Sequence, residues 1–211
     1  MSDSPPFRPA GVILAGGRAS RLGVTSKALA PLAGAPLIRH VMARLEHQAG
    51  PIVLSVQERN PDLESYGLEC VEDVVQRHRG PLTGLCSAME WLDSHGGGDW
   101  LLMCPCDAPF LPHDLAMRLQ GAAEESGRPV SVARYQDVLQ PTFSLWNMEV
   151  FPAVREAVLE QGRGGLWQVL NTLPHTDVEW AVRNVPPFFN VNTPDELDQA
   201  ARLLGAGRTG P

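Results

Sequence analysis

The amino-acid sequence contains 211 residues, of which 44% are hydrophobic and 19% are charged, values that suit a single globular α/β domain. Its 17 basic and 24 acidic side chains give a formal net charge of −7. Because polyanions are bound by neutralising their phosphates, this charge argues against a nucleic-acid partner. A local basic site for one small phosphate ligand stays open.

Features that would place the protein in another compartment or class are missing from the sequence. Residues 1–9 are polar and proline-rich without a signal-peptide core, and no apolar run reaches the roughly 18 residues of a membrane span. We therefore expect a cytoplasmic protein with no membrane partner. The cysteines match no redox or zinc spacing, so we interpret them as reduced, buried thiols.

The first half of the sequence alternates apolar strands with amphipathic helices. Strands are predicted over residues 12–15, 52–56, 68–71 and 100–104. One helix is predicted to have Pro36 at its first position and to end before Gly50–Pro51, and another runs from Pro81 to the glycines at 96–98. This alternation indicates right-handed βαβ crossovers and a mainly parallel, twisted sheet.

The second half of the sequence has more irregular elements. Helices are predicted over residues 112–125, 148–160 and 165–170, and strands over 129–133, 138–146 and, at an edge, 177–182. The segment from Thr193 to Glu196 is a capping box that opens a helix to about Leu204. No linker is long enough to separate domains, so we predict a single three-layer, Rossmann-like α/β domain.

A glycine-rich loop after the first strand carries an unusual concentration of positive charge. Between Gly16 and Lys27 there are two arginines, Arg18 and Arg21, and no acidic residue. Glycines let backbone N–H groups approach an anion, and arginine and lysine pair well with phosphate oxygens. The spacing matches neither the P-loop nor the dinucleotide-binding fingerprint. The loop therefore predicts a triphosphate site of another kind, and a solvated basic turn is the alternative.

Two carboxylates follow predicted strands. Asp107 comes directly after the strand that ends near Cys104, and Asp73 follows the third strand. Ligands of open α/β sheets lie at the carboxyl ends of strands, where a carboxylate can hold Mg²⁺ together with phosphate oxygens. A turn cap before Pro109 and an exposed turn acid are the respective alternatives.

These residues resemble the molybdenum cofactor guanylyltransferases, within a larger group of nucleotidyltransferases that share a Rossmann-like domain. The matching segments, in order, are Leu14–Gly17, Arg21–Gly23 with Lys27, Glu72–Asp73, Gly80–Gly84, Cys104–Leu111, Gln140–Pro141 and Phe189–Pro194. The glycine-rich segment is common to the larger group. The combination with Cys-Pro-Cys-Asp, Gln-Pro and Asn-x-Asn-Thr-Pro is far more specific.

The resemblance implies a site and a division of the chain. The expected catalytic residues are Lys27, Arg21 and Asp107, the expected nucleotide-binding residues are Leu14, Ala15, Gly16, Gly17, Lys27, Gln57, Asp73 and Asp107, and the expected acceptor-binding residues are Asn190 and Asn192. Asp107 is the expected Mg²⁺ ligand. A flexible N-terminus (1–9) and a tail (205–211) would flank a domain at 10–204, whose nucleotide-binding half spans about 10–110 and whose acceptor-binding half spans about 111–204.

Three positions depart from the family pattern. Ser26 stands where relatives often have aspartate, Gln57 stands where they have a nucleoside-contacting asparagine, and the segment 162–167 replaces their basic helix start. Cytidylyl-transferring relatives usually have alanine at the position of Gly16. Since Gly16 has no Cβ, a purine could lie against the main chain near Leu14, whose carbonyl could accept from guanine. We therefore expect GTP over CTP by at least ~10²-fold in kcat/KM.

By resemblance, the reaction transfers GMP from GTP to the terminal phosphate of molybdopterin and releases pyrophosphate. Its partners would be GTP, molybdopterin or the molybdenum cofactor and, transiently, cofactor-biosynthesis proteins or molybdoenzyme chaperones. Lys27→Ala is expected to lower turnover by about 10²-fold with little effect on folding. The alternatives are another nucleotidyltransferase, such as a molybdopterin cytidylyltransferase or a sugar-phosphate enzyme, and a non-catalytic nucleotide-binding module.

Overall fold

The computed structural model describes residues 7–17, 22, 24, 26–75, 80–182 and 184–206, so the predicted site residue Arg21 and its neighbour Arg18 lie outside the described part. The strands are β1 (Ala10–Leu14), β2 (Pro31–Leu32), β3 (Ala35–Pro36), β4 (Ile52–Val56), β5 (Glu69–Glu72), β6 (Trp100–Pro105), β7 (Val130–Tyr135), β8 (Val138–Asn147) and β9 (His175–Trp180). The α-helices are α1 (Leu37–Leu45), α2 (Pro61–Glu64), α3 (Pro81–His95), α4 (Leu115–Ser126), α5 (Phe151–Leu159), α6 (Trp167–Leu170) and α7 (Pro194–Ala206).

Seven of these strands form one sheet in the order β5-β4-β1-β6-β8-β7-β9. All neighbours are parallel except β8, which is antiparallel to both β6 and β7. The reversal arises at Gln136 and Asp137, two turn residues with φ of 50° and 62°. A two-residue turn with positive φ at both positions joins antiparallel strands, so β7 and β8 form a hairpin. The predicted mainly parallel sheet is confirmed.

Alternate side chains of the central strands enter two separate cores. On β1, Val12 belongs to the core beneath α3 and α5, whereas Ile13 belongs to the core beneath α1 and α4. On β6, Met103 and Cys104 divide in the same way. Because successive side chains of a strand point to opposite faces, a central strand with helices on both sides is apolar throughout. The predicted three-layer α/β arrangement is confirmed.

A third, smaller core lies beside this sandwich. It joins α7 to the chain segment that follows Lys27, and its buried members are Ala30, Leu32, Leu37, Phe110, Val191 and Ala200. The α7 helix therefore packs on the segment before α1. Among the described residues, no helix combines the length and apolar character that crossing a membrane requires.

Four helices begin later than the sequence predicts. The α5 helix begins at Phe151 after a 3₁₀ turn at Met148–Val150, and α6 begins at Trp167 and not at residue 165. Pro36 is not the first residue of α1, because it is extended at φ −70° and ψ 153° and pairs with Pro31 in the β2–β3 ribbon. The α4 helix begins at Leu115 and not near residue 112. Its start is fixed by Gln48, whose side chain donates to the Pro112 carbonyl (2.8 Å) and accepts from the Ala116 amide (3.1 Å).

The division of the chain follows the order of the strands. The strands β5, β4, β1 and β6, all before residue 110, form one half of the seven-stranded sheet, and β8, β7 and β9 form the other half. That these halves bind the nucleotide and the acceptor respectively stays a prediction. Near the N-terminus, Arg8 donates to the carbonyls of Glu46 (2.7 Å) and Ala49 (3.0 Å), so it contacts the end of α1. Residues 1–6 and 207–211 lie outside the described part of the chain.

Candidate active site

A cavity of about 420 Å³ opens at the carboxyl ends of β1, β4 and β6, where ligands of parallel α/β sheets bind. Its lining residues are Leu14, Gly16, Gly17, Lys27, Ser55, Gln57, Asp73, Gly80, Pro81, Gly84, Pro105, Cys106, Asp107 and Thr142. Seven of the eight predicted nucleotide-binding residues are therefore brought together. Ala15 instead lines a second, polar cavity on the other side of the same loop. A larger cavity of about 830 Å³ between α4, β9 and α7 contains none of them.

Lys27 is held by two oxygen acceptors. Its ammonium donates to Asp107 Oδ2 at 2.7 Å and to Asn192 Oδ1 at 2.6 Å, and the side chains of Lys27 and Asp107 are only 16% and 11% exposed. An ammonium has three N–H donors. Within the described part of the chain, two of them are engaged by protein, which leaves the third for a ligand in the cavity.

Asp107 lies two residues after the end of β6, and its two carboxylate oxygens have different surroundings. Oδ2 accepts from Lys27, while Oδ1 is buried and has no hydrogen-bond partner among the described residues. A buried carboxylate oxygen without a partner is costly unless a ligand completes it. The described residues contain no cluster of three or more potential metal ligands. A single carboxylate still suits Mg²⁺, which commonly takes one or two protein carboxylates, with the remaining ligands from phosphates and water.

The glycine-rich loop is held by backbone contacts on both sides. The Ala15 amide donates to the Ser55 carbonyl (2.8 Å), and the Leu14 carbonyl accepts from the Cys106 amide (3.1 Å). Guanine would have to use the second lone pair of the Leu14 oxygen. Neither Gly16 nor Gly17 has positive φ, so the loop does not form the left-handed turn of an anion nest at these two residues.

Gly16 faces Gln57 more closely than the sequence suggests. A Cβ at Gly16 would lie 3.1 Å from Gln57 Cγ and 3.5 Å from the backbone nitrogen of Gln57. A methyl group would therefore press first on Gln57 and only through it on a base. At Gly17 a Cβ would have no neighbour within 4 Å. If a Cβ at position 16 disfavours a purine, as the sequence suggests, it would do so by displacing the side chain of Gln57.

Asp73 lies at the end of β5, and its carboxyl accepts a hydrogen bond from Ser55 Oγ at 3.2 Å. Burial raises the pKa of Asp73 to about 6, and the hydrogen bond from Ser55, which lowers it, offsets only part of this effect. Asp73 lines the same cavity as Gln57 and Asp107, and its predicted contact with the nucleoside stays a prediction.

Asn190 and Asn192 lie on either side of Val191, whose backbone is hydrogen-bonded to Asp107. The Val191 amide donates to the Asp107 carbonyl at 2.9 Å, and Asn192 reaches Lys27. Neither asparagine lines the cavity, and Asn190 Oδ1 is buried without a partner among the described residues. Asn192 is therefore beside the predicted phosphate-binding lysine. Acceptor binding by the two asparagines stays a prediction.

The divergent segment 162–167 contacts the start of α3. The Gly164 carbonyl accepts from the Leu82 amide at 3.0 Å, and a Cβ at Gly80 would lie only 2.1 Å from the Gly164 oxygen. Gly80 and Pro81 also line the cavity that contains the predicted nucleotide-binding residues. The segment that departs most from the family pattern therefore buttresses one wall of the predicted nucleotide site.

Sequence reasoning missed two polar residues of the cavity, Ser55 and Thr142. Ser55 is the polar residue of the otherwise apolar strand β4, and it precedes Gln57 by two positions, which places both on one face of the strand. That pattern could have identified it. Thr142 follows the Gln140–Pro141 pair, but the long strand β8 gave no sign of which position reaches the site. The interpretation of the cysteines as buried free thiols is confirmed.

Comparison with known proteins agrees with this arrangement. The sequence profile of the MobA-like NTP transferase domain matches residues 11–178, which include β1, the glycine-rich loop, Lys27, Asp73 and Asp107. The chain belongs to the MobA-like NTP transferase family.

Individual relatives in this family place the chain more narrowly. It is 33% identical over 204 residues to the molybdenum cofactor guanylyltransferase of Rhodopseudomonas palustris strain BisB5, covering 96% of each chain. It is 36% identical over 192 residues to that of Cupriavidus metallidurans, covering 89% of this chain and 91% of the relative. Within the family the chain therefore belongs with the molybdenum cofactor guanylyltransferases, as the sequence motifs predict.

Solved structures share the fold at lower identity. Molybdopterin-guanine dinucleotide biosynthesis protein A from Archaeoglobus fulgidus superposes with a TM-score of 0.78 at 21% identity, over 93% of this chain and 99% of that one. A CMP:2-keto-3-deoxy-manno-octonic acid synthetase complexed with CTP reaches 0.71 at 16% identity, over 95% and 100%. At these identities the likeness confirms the nucleotidyltransferase fold alone.

Proposed function

We propose that this protein transfers GMP from GTP to the terminal phosphate of molybdopterin, forming the guanine dinucleotide cofactor and pyrophosphate. The observation that carries the proposal is the Lys27–Asp107 pair beside the glycine-rich loop, in a chain whose relatives over nearly its full length are named molybdenum cofactor guanylyltransferases. The pair supplies, in one cavity, a cation for phosphate and a carboxylate oxygen that has no partner among the described residues.

In this reaction an oxygen of the acceptor phosphate forms a bond to the α-phosphorus of GTP. The bond from that phosphorus to the bridging oxygen of the β-phosphate breaks, and pyrophosphate leaves with the electron pair. A phosphate monoester has its second pKa near 6 and is largely deprotonated at pH 7, so no strong general base is required. The site has to hold two anions in line and reduce their repulsion.

Lys27 is placed to perform much of that electrostatic work. Two of its N–H groups are anchored on Asp107 and Asn192, so its charge is oriented before the substrate binds. Charges held in place in a partly dry site stabilise a developing phosphoryl charge more than mobile ones. Backbone amides of Gly16 and Gly17, which border the cavity, are available to the same phosphates.

We propose Asp107 as the protein ligand of Mg²⁺, with Oδ1 as the coordinating atom because it is buried and has no partner in the described part of the chain. A bound Mg²⁺ would supply charge neutralisation for the triphosphate and the leaving pyrophosphate. Asn190 Oδ1 is also buried without a partner among the described residues, and the next residue, Val191, donates to the Asp107 carbonyl, so Asn190 is a second candidate ligand. Lys27 would keep Oδ2 occupied and so orient the carboxylate toward the ion.

We further propose a cytoplasmic location and transient contacts with proteins that supply or receive the pterin cofactor. Four buried free cysteines suit a reducing compartment. The product is a cofactor that a molybdoenzyme has to receive, so a delivery partner is chemically reasonable.

The test is pyrophosphate release by the purified protein with molybdopterin and each of four nucleoside triphosphates, with and without Mg²⁺. We expect GTP to exceed CTP by at least ~10²-fold in kcat/KM, since a site built to hydrogen-bond its base rejects an analogue that leaves those groups unpaired. Removal of Mg²⁺ by a chelator is expected to stop the reaction.

The other outcomes separate the alternatives. Equal rates with CTP and GTP would contradict the guanine assignment and leave nucleotidyl transfer standing. Transfer to a sugar phosphate but not to molybdopterin would contradict the acceptor. Binding of GTP with no pyrophosphate release under any condition would identify a non-catalytic nucleotide-binding module.

A further inference from the structure

Glu196, in the first turn of α7, makes one more hydrogen bond than a helix cap requires. Its Oε2 accepts from the Thr193 amide at 2.9 Å, and Thr193 Oγ1 accepts in return from the Glu196 amide at 3.3 Å, as in a capping box. The same Oε2 also accepts from the amide of Asn192, at the shorter distance of 2.6 Å. The capping box accounts for Thr193 and leaves the bond to Asn192 unexplained.

The extra bond fixes the residue that holds Lys27. Asn192 Oδ1 accepts from the Lys27 ammonium at 2.6 Å, while its Nδ2 faces the Asn190 carbonyl at 3.5 Å. This arrangement decides which end of the amide points at the lysine, because only the oxygen can accept a hydrogen bond. The backbone of Asn192 is thus held by Glu196 and its side chain holds Lys27.

The segments that carry Lys27, Asn192 and Glu196 all contribute residues to the third core. Leu32 follows the 3₁₀ helix Lys27–Leu29, Ala200 lies on α7, Val191 precedes Asn192, and all three are buried in that core. Rotation or fraying of the start of α7 would therefore move Asn192 relative to Lys27. The small core gives the connection a rigid base outside the main sheet.

Lys27 is the only lysine in the sequence, so 16 of the 17 basic Lys and Arg side chains are arginines. An ammonium presents three donors around one atom, whereas a guanidinium presents a planar fork. At position 27 two donors point at Asp107 and Asn192, and the third direction is set by those two. The direction of the remaining N–H therefore depends on where Asn192 is held.

We propose that Glu196 is a positioning residue for phosphoryl transfer: by holding the backbone of Asn192, it aims the free N–H of Lys27 at the phosphates of the nucleotide. The catalytic consequence rests on the proposed guanylyl transfer. The restraint on Lys27 does not, and it can be measured without any substrate. A displacement of about 1 Å at a reacting group can lower the rate about 10²-fold, so a restraint on the position of Lys27 can have a large effect on turnover.

The first experiment uses the single lysine. Wild-type protein and the variants Glu196→Ala, Glu196→Gln and Asn147→Ala are treated with acetyl N-hydroxysuccinimide ester, and acetylation of Lys27 is followed by peptide mass spectrometry. A synthetic lysine-containing peptide added to every reaction serves as the internal standard. Asn147→Ala is the matched control, because Asn147 Oδ1 caps a remote 3₁₀ turn by accepting from the Glu149 amide at 2.9 Å.

We expect Lys27 to react about 3- to 10-fold faster in Glu196→Ala, the range that loss of one hydrogen bond allows. Glu196→Gln keeps an acceptor oxygen at the same position, so its Lys27 is expected to react at nearly the wild-type rate, as is that of Asn147→Ala. Equal reactivity of Lys27 in Glu196→Ala and wild type would overturn the proposal. So would a fast Glu196→Gln, since the effect would then come from charge and not from the hydrogen bond.

The second experiment measures guanylyl transfer by the same variants. We expect kcat to fall about 10-fold in Glu196→Ala with a smaller change in the KM for GTP, because the oriented charge acts mainly in the transition state. A loss of thermal stability in Glu196→Ala equal to that in Asn147→Ala, with unchanged kcat, would reduce Glu196 to a helix cap. An inactive wild type would instead contradict the proposed function, and the acetylation result would still decide the positioning role.

Discussion

At the scale of single residues, Lys27 and Asp107 form a charge pair that is largely shielded from water. An ion pair of this kind gains little net stability when intact, but removal of one partner leaves an uncompensated charge. Sequence reasoning expected Lys27→Ala to have little effect on folding. Because both side chains are less than one fifth exposed, we expect a measurable loss of stability in the variant, which has to be separated from its loss of activity.

We therefore predict that Lys27→Ala lowers turnover by about 10²-fold and the free energy of unfolding by about 1–3 kcal/mol. The double variant Lys27→Ala/Asp107→Asn is expected to recover most of that stability, since Asn is neutral, but none of the activity. Urea denaturation and pyrophosphate release measure the two effects. Recovery of activity in the double variant would mean that Lys27 acts only by neutralising Asp107.

The Asp73 carboxyl gives a prediction that depends on pH. Its pKa is raised from 3.8 to about 6 in the folded protein, so the folded state binds the proton more tightly than the unfolded chain. The stability that this provides is complete below about pH 4 and is lost as the pH rises through about 6. Asp73→Asn removes the titration, because its amide is neutral at every pH.

We expect Asp73→Asn to be more stable than wild type at pH 7.5 by about 1–2 kcal/mol, after allowance for the partial exposure of the carboxyl, and to show little difference at pH 4. Urea denaturation across this range measures the difference. A gain of equal size at both pH values would show that the effect does not come from ionisation. If the carboxylate contacts the nucleoside, the more stable variant is also expected to bind GTP more weakly.

At the scale of elements, the contact between the segment 162–167 and the start of α3 shapes one wall of the predicted nucleotide cavity. A Cβ at Gly80 would meet the Gly164 carbonyl oxygen at 2.1 Å, so one of the two backbones has to move in Gly80→Ala. Because Gly80 and Pro81 line the cavity, that movement is felt at the site as well as in the fold. Gly80 does not have left-handed backbone geometry, so a side chain at this position is excluded only by the lack of space.

We predict that Gly80→Ala lowers the free energy of unfolding by about 1–3 kcal/mol and weakens GTP binding. Gly121→Ala is the matched control. Gly121 lies within α4, where a Cβ would have no neighbour within 4 Å, so alanine is expected to stabilise the protein by about 0.5–1 kcal/mol. Urea denaturation and GTP titration test both variants. If Gly80→Ala keeps wild-type stability and GTP affinity, the segment 162–165 can move aside without a measurable loss of stability.

At the scale of the whole molecule, the predicted nucleotide cavity is lined by residues from both halves of the seven-stranded sheet. Thr142 on the antiparallel strand β8 faces the same space as Gly16 on the loop after β1. A ligand that binds only the folded state stabilises it by mass action, and one that fills this cavity contacts residues far apart in the sequence.

We therefore predict that GTP with Mg²⁺ at about 100 times its Kd stabilises the protein by about 2.7 kcal/mol, and that CTP at the same concentration has a clearly smaller effect. Thermal denaturation with each of four nucleotides measures this, and Lys27→Ala serves as the control with a weakened phosphate site. Equal shifts with all four nucleotides would contradict selection of the base. No shift with any of them would contradict the assignment of the cavity.

Local patterns determined which parts of the chain carry the fold and the chemistry. Strand β4 was predicted with its observed bounds because its apolar run is flanked by turn residues, and the Thr193–Glu196 capping box opens α7 as predicted, since both signals depend on neighbours within a few residues. The glycine-rich loop, Lys27, Asp73 and Asp107 were found because loop chemistry and family motifs are contiguous in sequence. The family assignment rested on those same motifs.

Contacts between distant residues were decided only by tertiary structure. The start of α4 depends on the Gln48 side chain, the acceptor at Lys27 includes Asn192, and the space at Gly16 is set by Gln57. No pattern within a window of a few residues encodes which of two remote side chains will meet, because that depends on how the helices and strands pack. The sequence therefore predicted the chemical groups of the candidate site, and packing decided their partners and their exposure.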